Sequence, residues 1–118
     1  MPNSIYSIVF DGKKLTNAEI EKFANLFENR KITALSFRNC EISPFELPGL
    51  LSKLDIDSVK YLDFRHNNLG KEGAKLIAKK FCNSKELEFV DLSYNYVGFE
   101  FIEEISRYHH LDRTIWKF

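Results

Sequence analysis

The sequence contains few of the residues that mark disulfide-rich, membrane-spanning or metal-binding proteins. Only two of its 118 residues are cysteines, Cys40 and Cys82, and they lack the spacing of metal ligands. No stretch approaches the roughly 18 consecutive apolar residues of a membrane-spanning helix. Residues 1–10 lack the basic start and the cleavage site of a secretory signal. These absences argue against a disulfide framework and favour a reducing compartment, so we expect the protein in the cytoplasm.

An excess of one charge is also missing. Seventeen Lys and Arg residues balance 17 Asp and Glu residues, and no long run of one sign occurs. Surfaces that bind nucleic acids, and polybasic membrane anchors, need a concentrated positive charge. We therefore expect neither a nucleic acid nor a membrane as a partner.

The motifs of common catalytic sites are absent as well. The sequence has no phosphate-binding G-x-G-x-x-G or G-x-x-x-x-G-K-[ST], no G-x-S-x-G and no H-E-x-x-H. The nearest approach to a metal signal is His109–His110, but adjacent helical residues point about 100° apart and rarely share one ion. We therefore predict a non-enzymatic protein without a cofactor, a metal site or catalytic residues.

What the sequence does contain is one pattern that occurs four times. The pattern is an aliphatic residue, two variable residues, a second aliphatic residue, one variable residue and then Phe or Leu. Its copies start at Ile5, Ile32, Val59 and Leu87, so they are 27, 27 and 28 residues apart. A fixed period in this range is typical of a solenoid, in which neighbouring repeats bury each other's apolar surfaces. We therefore predict one domain over residues 1–118, with repeats at about 5–31, 32–58, 59–86 and 87–114.

Each repeat predicts a strand, a turn and a helix. In the third copy Leu62 and Phe64 alternate with polar residues, which is the period of a strand with one buried face. Pro48 would interrupt a helix that began at Ser43, so we expect the second helix to begin near Pro48. The helical stripes are Ile20, Phe23, Ala24 and Phe27; Leu47, Leu50, Leu51 and Leu54; Ala74, Ile77, Ala78 and Phe81; and a weaker set of Ile102, Ile105, Ser106 and His109.

Units of this kind, stacked in order, form a parallel sheet with helices on its other side. Because helices are about 10 Å wide and strands lie about 4.8 Å apart, the stack curves with its strands inside. The predicted fold is therefore α/β, a short right-handed arc with a concave sheet and convex helices. Ile115-x-x-Phe118 repeats the opening of a unit, so a fifth, terminal strand is predicted at residues 115–118.

The third and fourth copies, "LDFRHNNLGKEGAKLIAKKF" and "VDLSYNYVG", resemble leucine-rich repeats of the ribonuclease-inhibitor-like class. Cys40, Asn67 and Asn95 occupy the Asn/Cys position of that family's pattern. The resemblance implies that these side chains form a buried ladder, hydrogen-bonded to the backbone of adjacent turns. Lys13 departs from the pattern, so we expect the first repeat to be an N-terminal cap with an exposed turn.

If the strands line the inside, their variable positions form the binding face. The last two repeats place aromatic and charged groups there, and buried aromatics and Arg dominate binding energy at protein interfaces. An alternative is that the charged residues only pair across the strands and that Tyr61 and Phe89 cover the sheet. The predicted partner-binding residues are Arg38, Tyr61, Asp63, Arg65, His66, Phe89, Asp91, Ser93 and Tyr94.

These features predict a module that binds another protein through its concave sheet face. One alternative is a regulatory protein, such as a bacterial effector delivered to a host cytoplasm, that acts on a small GTPase or a ubiquitin-pathway protein. Arg38 and Arg65 would then be candidates for a catalytic arginine. A second alternative is a self-associating repeat fragment, with a homodimer formed through the C-terminal strand edge.

Overall fold

The computed structural model describes residues 5–27, 31–105 and 113–118. Strands and helices alternate along much of this chain. The elements are β1 (Ile5–Val9), α1 (Asn17–Glu21), α2 (Ala24–Phe27), β2 (Lys31–Ser36), α3 (Leu47–Leu51), β3 (Tyr61–Asp63), α4 (Gly70–Lys80), β4 (Phe89–Asp91), α5 (Glu100–Ile105) and β5 (Ile115–Lys117).

The five strands of the described residues form one parallel sheet in chain order, β1-β2-β3-β4-β5. Ile8 lies opposite Leu35, Leu35 opposite Leu62, and Leu62 opposite Val90, so equivalent repeat positions meet across the sheet. The prediction of an α/β fold with a parallel sheet is confirmed.

The terminal strand exists, but its predicted register is wrong by two residues. The sequence pattern aligned Ile115 with Leu87, whereas the structure pairs Ile115 with Phe89 and Trp116 with Val90. Ile115 is therefore 65% exposed, and Trp116 packs against the core instead. The physical reason is that the large indole ring buries more apolar surface on Phe101, 5.6 Å away between ring centroids, than Ile115 would.

The helices are shorter than their apolar stripes. In the first repeat the predicted single stripe is divided between α1 and α2, because the Phe23 N–H bonds the Ile20 carbonyl in a tightened turn. Helix α3 begins at Leu47 with Pro48 in its first turn, as expected from that proline. In α5 Phe101 is buried. The side chain of the predicted stripe residue Ile102, and residues Ser106, His109 and His110, lie outside what the structure describes.

The core lies between the sheet and the helices, which contact one another in the order α1, α3, α4 and α5. A column of phenylalanine rings runs through it at equivalent repeat positions. Phe37 stacks between Phe10 and Phe64, with ring centroids 5.0 and 5.2 Å apart. Phe37 and Phe64 are fully buried, so each repeat fills the space beneath the next.

One glycine is required by packing. Gly73 in α4 is so close to Leu69 that an added Cβ would lie 2.6 Å from the Leu69 Cβ. The missing side chain leaves room for the buried Leu69 side chain at the N-terminus of α4. None of the helices in the described ranges is long and apolar enough to cross a membrane.

Candidate protein-binding surface

Asn67 joins two successive turns from a buried position. Its Oδ1 accepts hydrogen bonds from the backbone N–H groups of Cys40 and Ile42, both at 3.0 Å. Its Nδ2 donates to the carbonyls of Phe37 and Phe64, at 2.7 and 2.8 Å. A single side chain therefore satisfies four backbone groups that water cannot reach.

Asn95 and Cys40 occupy the equivalent positions of the neighbouring turns. The Asn95 Nδ2 donates to the Phe64 carbonyl at 2.7 Å, and its Oδ1 accepts from the Leu69 N–H at 3.2 Å. The Cys40 thiol donates to the Phe10 carbonyl at 3.2 Å, and burial raises the pKa of this thiol. Cys40 is therefore a poor nucleophile. The turn of the first repeat, with Lys13, is exposed.

The sheet face away from the helices carries two columns of side chains, and we call it the open face. The strand register aligns one residue from each strand in each column. The first column is Ser7, Ala34, Tyr61, Phe89 and Ile115, and the second is Val9, Ser36, Asp63, Asp91 and Lys117.

The charged residues at the end of the strands pair with one another across the sheet. Arg38 donates through Nε to Asp63 Oδ2, and Arg65 donates through Nη2 to Asp91 Oδ2 at 2.8 Å. Each aspartate also accepts from the backbone N–H two residues further on, Asp63 from Arg65 at 3.0 Å and Asp91 from Ser93 at 2.9 Å. Cross-strand pairing, the alternative recognised from the sequence, therefore occupies most of these charges.

Two predicted contact residues are largely enclosed. Asp91 is fully buried and Ser93 nearly so. Burial alone would raise the pKa of Asp91, but its contacts with Ser93 and with the Arg65 guanidinium hold the pKa below its ordinary value. These inter-strand contacts enclose Asp91 and argue against its direct contact with a partner. Ser93 lines a cleft of about 430 Å³ beside Arg65 and Tyr94, so its contact with a partner stays a prediction.

Exposed aromatic rings lie close together just after β3 and β4. His66 and Tyr94 stack with ring centroids 4.2 Å apart and planes 3° from parallel. We call this pair the aromatic ledge. Tyr94 is 69% exposed, and Tyr96, two residues further along the same turn, is 88% exposed. The ledge borders a cleft of about 300 Å³ that is also lined by Asn39.

The backbone at the ledge is unusual for the residues it carries. His66 and Tyr94 have φ values of +58° and +60°, and the equivalent residues of the first two repeats, Gly12 and Asn39, are also left-handed, at +79° and +54°. Glycine and asparagine adopt this conformation readily, whereas an aromatic residue does so at a cost. Tyr94 is therefore not explained by the needs of the turn or by burial.

A shallow trough of about 430 Å³ crosses the open face over β1, β2 and β3. Its surface includes the small side chains Ser7, Ala34 and Ser36, with Tyr61 and Phe89 beyond them. The charged residues among its lining are Asp11, Arg38 and Asp63. The sequence predicted the aromatic residues and Arg38 as binding residues, but it did not predict the trough, because only the strand register brings β1 and β3 to the two sides of β2.

Neither arginine proposed for catalysis is presented as a free guanidinium. Arg38 and Arg65 are each engaged with an aspartate of the next strand. Within the described part of the chain, no group of three or more His, Cys, Asp or Glu side chains is placed to hold a metal ion.

A parallel sheet built from repeats in chain order, with a buried amide joining the turns, defines an α/β repeat protein. Residues 58–78, which contain β3, Asn67 and the first nine residues of α4, match the family model described as "Leucine Rich repeat". Leucine-rich repeats generally mediate protein–protein interactions and are generally not enzymes. A comparison with curated proteins finds no significant match.

Proposed function

We propose that this chain is a non-enzymatic protein-interaction module. In this proposal residues 1–118 form one domain, and the four repeats stack as a short leucine-rich-repeat solenoid of the ribonuclease-inhibitor-like class. The open face is its concave side, and a partner protein binds there and on the adjoining aromatic ledge. Its cysteines, Cys40 and Cys82, are free, which fits a reducing compartment such as the cytoplasm.

The observation that carries the proposal is the aromatic ledge. An exposed tyrosine in a left-handed conformation costs stability and does nothing for the core. Its flat stack with His66 offers a rigid apolar surface with polar tips, which is typical of residues that dominate binding energy. Tyr61 and Phe89 extend this surface onto the sheet.

The charged residues have a secondary role in this proposal. Arg38 is half-exposed and engages Asp63 through Nε, so in this proposal its side chain lies at the border of the binding surface with its charge already paired. Arg65 and Asp63 contribute at the border of the surface, and Asp91 and Ser93 act by holding Arg65 and the turn in place.

The test is capture of a partner by the wild-type chain and by a double variant, His66→Ala with Tyr94→Ala. A partner is first identified by affinity capture and mass spectrometry, and its affinity for each variant is then measured. We expect the double variant to lose binding at least about tenfold, since hot-spot truncations cost roughly 2 kcal/mol or more. Its melting temperature should not fall.

Phe45→Ala is the matched control, because Phe45 is a 78% exposed aromatic residue on the turn of another repeat. Unchanged binding in the double variant, or an equal loss in the Phe45 variant, would show that the ledge is not the binding surface.

The regulatory alternative, acting on a small GTPase or a ubiquitin-pathway protein, has less support. It needs an arginine free to reach a reacting phosphate, whereas Arg38 and Arg65 are both paired. Unchanged GTP hydrolysis across a panel of small GTPases would count against it further.

A further inference from the structure

The trough on the open face is shallow and open to solvent along its length. Its volume of about 430 Å³ is enough to seat one side chain of a partner. The side chains in its first column grow from Ser7 and Ala34 to Tyr61 and Phe89, so a low floor meets an aromatic wall. One side chain of a partner can lie on the small residues and pack against the rings of Tyr61 and Phe89.

The charges that line the trough already have partners inside the molecule. Asp11 Oδ1 accepts from the Ser36 hydroxyl at 2.6 Å and from the Arg38 N–H at 2.9 Å. Asp63 accepts from the Arg38 side chain through Oδ2 and from the Arg65 N–H through Oδ1. A charged ligand group would have to compete with these bonds. It would lose its hydration in the trough without gaining an ion pair that offsets the desolvation cost.

We infer that the trough binds an uncharged apolar anchor, an aromatic or large aliphatic side chain of the partner protein. This inference rests on the proposed function and adds the chemistry that the partner must present. Tyr61 and Phe89 pack against the anchor from one side, and Ser7, Ala34 and Ser36 leave the space that it fills. Because no new ion pair forms, binding in the trough does not weaken as salt rises.

The inference is tested without a partner, using small probes of different charge. The probes are N-acetyl-tryptophanamide, N-acetyl-argininamide and N-acetyl-aspartamide, titrated into the isotope-labelled chain while backbone amide resonances are followed by NMR. We expect the tryptophan probe to shift the amides of Ser7, Ala34 and Ser36, with the same dissociation constant at low and at high NaCl.

Ala34→Trp should fill the trough from its floor and weaken the tryptophan probe by about tenfold or more. Ala34 lies on the open face, so the new ring points away from the core, and Ala34→Leu provides a smaller change if the tryptophan variant does not fold. Ile115→Trp is the matched control, because Ile115 shares the Ala34 column but does not line the trough.

Four results would overturn the inference. The first is that the tryptophan probe shifts none of these amides. The second is stronger binding of the aspartate probe or of the arginine probe, which the formal charge of −1 on Asp11, Arg38 and Asp63 would favour. The third is loss of the tryptophan probe in high salt, and the fourth is equal effects of the two tryptophan substitutions. None of these results bears on the aromatic ledge. Failure of the anchor is therefore distinguishable from failure of the proposed function, which the His66 and Tyr94 variants test.

Discussion

Single buried polar side chains connect the repeats of this molecule. Asn67 satisfies backbone groups of two successive turns, and its neighbour Asn68 is exposed. The two asparagines are adjacent in sequence and chemically identical. Replacing each by alanine therefore compares the loss of stability at a buried and at an exposed position.

We expect Asn67→Ala to destabilise the chain by roughly 1–3 kcal/mol or more, since it leaves several buried backbone groups without partners. Urea denaturation followed by circular dichroism measures this loss. Asn68→Ala should change the free energy of unfolding by less than about 0.5 kcal/mol. Similar values for both variants would mean that the amide of Asn67 does not hold the turns together.

Asp91 shows how a charge can stabilise a strand without being available for binding. It is fully buried and bonded to Arg65 and Ser93, and its pKa is lowered. A carboxyl whose pKa is lower in the folded state stabilises the fold above its unfolded pKa of about 3.9, and this contribution is lost as the pH falls through the folded pKa.

We therefore expect Asp91→Asn to lower the melting temperature at pH 7, and the difference from wild type to shrink as the pH falls below about 4. Melting curves at several pH values measure both effects. Asp57→Asn, at an exposed position, is the control and should follow the wild-type profile. A difference from wild type that stays constant from pH 7 to acid would contradict the assigned role of the Asp91 charge.

At the scale of elements, the repeats are held together by rings stacked from one strand end to the next. Phe37 is fully buried between Phe10 and Phe64, whereas Phe45 in the following turn is largely exposed. The same residue type thus occurs in a packed and an unpacked position within eight residues of sequence.

We expect Phe37→Ala to cost about 3–5 kcal/mol, because it removes the middle ring of the column and leaves a cavity. Phe45→Ala should cost less than about 0.5 kcal/mol. Urea denaturation measures both losses from the shift of the midpoint, provided that the slope of the free energy of unfolding with urea concentration stays the same. A small loss in the Phe37 variant would show that the neighbouring rings can close the gap.

The attachment of the terminal strand β5 to the core can be followed by tryptophan fluorescence. Trp116 is the sole tryptophan, and its ring meets Phe101 edge to face. Because this contact links β5 to α5, we expect β5 to unfold with the rest of the chain.

Tryptophan fluorescence and far-ultraviolet circular dichroism should therefore give coincident urea transitions. A fluorescence transition at lower urea would show that β5 detaches first. Phe101→Ala is expected to separate the two transitions, whereas Ile115→Ala, at an exposed position of the same strand, should leave them together.

At the scale of the whole molecule, the sheet has two edge strands, β1 and β5. Strand β5 is only three residues long and carries an exposed lysine, and both features discourage edge-to-edge pairing. We therefore favour a monomer over the homodimer that the sequence left open.

Light scattering should give a mass near 13.9 kDa across a range of concentrations. A mass twice as large would revive the self-associating alternative. In that case Ile115→Asp, which adds a charge to the exposed side of β5, would distinguish pairing through this strand from association elsewhere.

The sequence by itself determined the repeat, the strand and helix order, and the polar positions that join the turns. These follow from local periodicity. Leu62 and Phe64 must share a face, and the polar position of Asn67 follows them at an offset that is the same in the next repeat. The aromatic positions beside the last strands, such as Tyr61 and Tyr94, follow from the same alignment.

Only the tertiary structure decided which of the surface residues remain accessible. Asp91 and Arg38 have the same polar character in the sequence, yet one is enclosed by its neighbours and the other is half-exposed, because burial depends on contacts across strands that lie 27 or 28 residues apart. The register of β5 was decided in the same way: Ile115 fits the repeat pattern, but Trp116 gains more by packing on Phe101. Local pattern sets what each repeat can form, and the packing between repeats sets what a partner can touch.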